Sequence, residues 1–126
     1  MGLFGGKFPA DKKARKIETD LLELMGDGHK DTLRQLISNI SYSETSLFGC
    51  KDSLKNNEGN VAKVQLDKAS ETIKEVNTAL EQLETKVTQG VTQKNVEKAI
   101  KLIKELRTIV SQLDQQEKDI RREKAW

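Results

Sequence analysis

The chain has 126 residues, one proline, 4% aromatic side chains and 33% charged ones. That composition suits one helical domain of coiled-coil character and argues against a sheet protein, because no run of β-branched and aromatic residues alternates with period two. The net charge of +2 is near neutral, and Cys50 is the only cysteine, so neither a wholesale polyanion binder nor an intrachain disulfide framework follows.

The charge is unevenly placed. Residues 1–16 hold Lys7, Lys12, Lys13, Arg15 and Lys16 against Asp11, a local +4, which leaves −2 on residues 17–126. A basic head on a mildly acidic body suggests a local electrostatic contact. Residues 1–9 carry three glycines and a proline and read as a flexible tail. They also offer a functional alternative, in which Leu3, Phe4 and Phe8 insert at an anionic membrane surface or partner while Lys7, Lys12, Lys13, Arg15 and Lys16 sit at the headgroups. Gly2 would take a myristoyl group, but Gly6 stands where that motif needs Ser or Thr.

From residue 10 a single helical bundle domain is expected, with helices at about 10–25, 29–55, 60–89 and 92–124. In the first, Ala14, Ile17, Leu21 and Leu24 repeat at steps of 3 and 4, broadened by Leu22 and Met25. Its basic residues lie in the first turns, the unfavourable end for the helix dipole. Gly26-Asp27-Gly28 ends it, and Asp27 is a candidate cap for the next helix. His29, the only histidine, has no companions at ligand spacing, so no metal site is expected. The Asp27–Asp31 stretch lacks the ligand pattern of a calcium loop.

In the second helix Leu33, Leu36, Ile37 and Ile40 mark a buried face. Leu47, Cys50 and Leu54 continue it if Ser43 fills one position. Ser41, Ser43, Thr45, Ser46 and Gly49 are poor to mediocre helix formers, and Ser41 with Glu44 could even be a capping box for a fresh start. One helix to about Lys55 is favoured, with a kink near 41–46 or at Gly49 left open. Leu47-Phe48-Gly49 resembles the Trp-x-Gly turn of small exported helical-hairpin proteins and spells the Leu-x-Gly of a related toxin-targeting family. The likeness covers three residues, lacks the Trp, and implies a turn that the following residues postpone to Asn56. Asn56 to Asn60 is a loop, with Asn60 as a cap.

The last two helices organise the rest. Leu66, Ala69, Ile73, Val76, Leu80, Leu83 and Val87 keep a 3-4 rhythm, as do Ala99, Ile103, Leu106, Val110, Leu113 and Ile120, with Glu117 where an apolar residue is due. Ile100 and Ile109 widen the second stripe, so that helix should meet more than one neighbour. Gly90 is read as the left-handed helix end, Thr92 as a cap, and Val91 with Val96 as a hydrophobic staple. So short a connection makes two antiparallel helices, each about 45–50 Å long. The fold expected is therefore all-α, an antiparallel helical bundle of one short and three longer helices around a long C-terminal hairpin.

No glycine-rich phosphate loop, nucleophile–base pair or carboxylate within an apolar run is visible, so the chain is expected not to be an enzyme and to need no cofactor. Isolated Tyr42 and Trp126 and the modest basic charge argue against nucleic acid as a partner. The first functional reading is a protein–protein interaction module, an adaptor, chaperone-like or assembly subunit, that binds another protein or a second copy of itself by helix packing. The second is a peripheral membrane protein using the basic N-terminal segment. The third is weak binding of a small ligand or nucleic acid, suggested only by the Ser, Thr and Asn residues between 38 and 46. No apolar run is long enough to span a bilayer and no signal-peptide core is present. A cytoplasmic protein is the default, with peripheral membrane placement and leaderless export left open.

Overall fold

In a computed structural model of the chain, which describes residues 8–90 and 92–126, every regular element is helical. Pro9 opens α1 (Pro9–Met25) at the first helical position, where its missing N–H is no loss and its fixed φ is already helical. A 3₁₀ turn at Asp27–His29 leads into α2 (Lys30–Lys55), followed by α3 (Gly59–Gly90) and α4 (Gln93–Lys124). The short links reverse the chain each time. Neighbours in sequence are thus neighbours in space, and α1 closes the ring against α4. The result is an up-down-up-down bundle, with α1 and α3 on one diagonal and α2 and α4 on the other.

The residues that carry the 3-4 rhythm form its interior. Leu66, Ile73, Val76, Leu80, Leu83 and Val87 of α3 are buried with Ile103, Leu106, Val110 and Leu113 of α4. Ala14, Ile17 and Leu21 of α1 and Leu33, Leu36, Ile37, Ile40, Leu47 and Cys50 of α2 join the same cluster. At 17 residues, α1 is only about 25 Å long, against about 48 Å for the 32 residues of α3 or α4. The bundle is four helices thick at one end and three at the other. At the three-helix end α2 meets α4 directly, and Lys51 Nζ donates to Gln116 Oε1 at 3.3 Å.

The most extensive contact is between α2 and α3 rather than within the C-terminal hairpin. The poor helix formers of α2 explain it. The helix runs unbroken through Ser41–Gly49, and Ser46, Gly49 and Ser53 share one stripe. A Cβ on Gly49 would lie 2.7 Å from Gln65 Nε2, and Ser53 Oγ donates to Gln65 Oε1 at 2.9 Å. Small side chains let the two backbones approach. Leu47-Phe48-Gly49 is accordingly mid-helix, not the turn its three-residue resemblance implies.

The punctuation differs from the sequence reading in detail. The α2 end is a Schellman motif: Asn57 takes φ 60, and the N–H groups of Glu58 and Asn57 donate to Ser53 and Leu54 carbonyls at 2.8 and 3.2 Å. That hands the start of α3 to Glu58, whose carbonyl accepts from Ala62 N–H at 3.0 Å, and leaves Asn60 inside the helix instead of capping it. Gly90 is the last residue of α3 and stays outside the left-handed region, so it is not the left-handed helix end. Thr92 stands at the start of α4 in extended conformation with no side-chain cap bond. Asp27 caps nothing, because the 3₁₀ turn puts His29 at the start of α2. The staple partner Val91 lies outside the described residues.

A second Schellman motif ends α4, with Ala125 at φ 57 and Trp126 N–H donating to the Arg121 carbonyl at 2.9 Å. It turns Trp126 back, partly buried, against the core.

Candidate functional site

The first helix has no side-chain cap of its own, and its early charges are mostly positive, so its N-terminal N–H groups need an anion from elsewhere. Glu44, in the middle of α2, supplies it. Its two carboxylate oxygens accept from Ala10 N–H at 2.8 Å and Asp11 N–H at 2.9 Å. The carboxylate is buried but spent on this clamp. Around it Asp11 accepts from the Ser41 hydroxyl and pairs with Arg15 at 2.9 Å. Phe8 sets its ring edge-on to Phe48, centroids 5.4 Å apart. The start of α1 is therefore fixed to the middle of α2.

Between α1, pinned there, and α4 runs a groove of about 730 Å³, within the range of ligand pockets. Its floor is Ile17 and Leu24 of α1 with Leu102 and Ile109 of α4. On the α1 bank stand Lys13, Lys16, Asp20 and Glu23, at steps 3, 4 and 3 along one stripe. On the α4 bank stand Lys98, Lys101, Glu105, Thr108 and Gln112, in the same rhythm. Opposite charges face each other over the gap, yet among the described residues none of these lysines and acids forms an ion pair.

The other charged cluster is structural. Glu117, the acid in the apolar rhythm of α4, is buried and pairs with Arg121, which also reaches Asp67 of α3 at 2.8 Å. Burial pushes the nearby Cys50 thiol above its ordinary pKa, against the pull of Arg121 and Lys51, so the neutral thiol dominates. The hydrogen bonds that the Arg121 guanidinium donates to Glu117 and Asp67 hold it firmly protonated.

The residues singled out in the sequence separate accordingly. Lys13 and Lys16 reach the groove; Arg15 is engaged by Asp11, and Lys12 is exposed away from it. Ala14, Ile17 and Leu21, the apolar face of α1, are buried in the bundle and so are not free to enter a membrane. Phe8 packs on Phe48. Leu3, Phe4 and Lys7 lie outside the described residues. The α4 bank is what the sequence reading missed as a site. Widening of the stripe at Ile109 was its one signal, and it does not say which helix would lie alongside. Among the described residues no group of three or more His, Cys, Asp or Glu could hold a metal ion, and no helix is long and apolar enough to cross a membrane.

No protein-family model, curated protein or solved structure matches the chain.

Proposed function

We propose that this chain is a non-enzymatic helical interaction module whose docking surface is the groove between α1 and α4. The observation that carries the reading is the groove itself: an apolar floor between two charged banks that leave each other unpaired. Among the described residues the other large apolar side chains at the surface are Tyr42 and Phe48 of α2, the latter packed on Phe8, and Val61 and Val64 of α3. Buried carboxylates, the usual raw material for acid–base chemistry, are committed elsewhere: Glu44 to the start of α1 and Glu117 to Arg121.

A photo-crosslinking residue placed at Thr108 or Gln112 in the native cell tests this. Both are exposed groove positions, and Glu75 on the outside of α3 serves as the control. Adducts at the groove several-fold above those at Glu75 are expected. Equal yields at all three positions would overturn the reading.

A further inference from the structure

The charge order on α1 says what fits this groove. Its exposed face is basic in the first half, through Lys13 and Lys16, and acidic in the second, through Asp20 and Glu23. Both halves oppose the helix dipole, which favours acids at the start and bases at the end. No base stands in the last turn of α1. Such a helix gains from a neighbour that runs antiparallel to it and carries the same order, because each basic half then meets an acidic one.

Resting on the groove as the docking surface, we propose that its occupant is a second copy of the chain, joined through a two-fold axis that crosses α1 at residue 18. Lys13 and Glu23 are centred on residue 18, and so are Lys16 and Asp20. One axis therefore sets Lys13 of one protomer opposite Glu23 of its partner, and Lys16 opposite Asp20, each pair occurring twice. This is the self-complementarity that a two-fold interface requires. The spacing of 3, 4 and 3 keeps all four side chains on one stripe, as helix–helix charge pairs need. These four side chains make no ion pair within the described chain, so none has to be broken. Leu24 and Leu102, half-buried at the groove floor, gain cover. Glu105 on the α4 bank adds acid for an incoming lysine, whereas Lys98 and Lys101 oppose Lys13 and keep the association weak. Exposed pairs contribute little each and are screened by salt, so the dimer is concentration-dependent and weakens as ionic strength rises.

Charge reversal tests the pairing on the full-length chain. K13E/K16E makes the α1 bank wholly acidic and D20K/E23K makes it wholly basic. The fourfold variant K13E/K16E/D20K/E23K restores the complementarity with its order inverted. Sedimentation velocity over a wide concentration range should show wild type and the fourfold variant dimerising. Each double variant alone should have its dissociation constant raised by about tenfold or more, and an equimolar mixture of the two should form a 1:1 complex. The substituted side chains are on the rim, and both acids of K13E/K16E suit the helix dipole, so the folded state survives; thermal melting monitored by circular dichroism verifies it. A wild type that stays monomeric at millimolar concentration overturns the proposal. So do double variants that associate as tightly as wild type, or a fourfold variant that fails to recover. A monomeric wild type whose groove still crosslinks to another protein would sink the dimer and leave the groove as the docking surface.

Discussion

The contact of α2 with α3 and the contact of α1 with α4 are both antiparallel pairs of amphipathic helices, yet one is closed and the other gapes. Where α2 meets α3, the stripe is Ser46, Gly49 and Ser53, and Gln65 lies directly over Gly49. Where α1 meets α4, the rims are mostly lysines and acids that form no ion pair across the gap. The closed seam is lined by small side chains and the open one by long ones.

The largest effects should separate the closed seam from the open one. Leu47→Ala, at a fully buried position of α2, is expected to cost about 2–5 kcal/mol in urea unfolding. Leu24→Ala in the groove, already half-wet, should cost about 1 kcal/mol or less. Equal losses would mean that the groove is shut in solution.

Paired charge within a seam comes next. Arg121→Met leaves the Glu117 carboxylate buried without its cation and should destabilise by about 3 kcal/mol, whereas Glu117→Met completes the apolar rhythm of α4 and should be neutral or stabilising. A melting comparison that reversed this order would show that Arg121 acts through packing. Glu44→Ala should cost about 1–3 kcal/mol by orphaning two N–H groups. Its mark would be local, with faster hydrogen exchange at Ala10 and Asp11 than anywhere in α3. Gly49→Ala sharpens the account of the closed seam. It gains about 1 kcal/mol of helix propensity and displaces Gln65, losing a bond to Ser53 of about 0.5–1.5 kcal/mol, so the net change in melting should be close to zero; in the Gln65→Ala background it should become stabilising.

The smallest effect is in pH. Because burial raises the Cys50 thiol in the folded state, its contribution is fully present below the ordinary thiol range and is lost as pH rises through the folded value. Alkaline urea titrations should show wild-type stability falling more steeply than that of Cys50→Ala.

The all-α bundle was legible because the 3-4 spacing in each helix is long and nearly uninterrupted, and because the links are too short for anything but reversal. The serines and Gly49 of α2 look like a weak point under helix propensity alone; a tertiary reason, close approach to α3, overrides it. Glu44 was invisible as a clamp because its partners are backbone groups 33 and 34 residues away. For the same reason the groove could be seen from one side only. Lys13 and Lys16 stand out in a basic segment, whereas Lys98, Lys101 and Leu102 look like the ordinary back of an amphipathic helix until α1 is laid beside them. Trp126, at a chain end where side chains commonly fray, is held by a backbone motif that needs Ala125 in a conformation favoured by glycine.

The solitary thiol of Cys50 also makes this molecule its own stopwatch. It is sealed between α2 and its neighbours, with 0% of its surface open to solvent, and no second thiol competes for reagent. Every mass shift from an alkylating probe therefore records one excursion in which that wall parted. Following the shift over hours, without any engineered label, would clock how often the sealed side of the bundle breathes, and whether occupation of the distant furrow slows it.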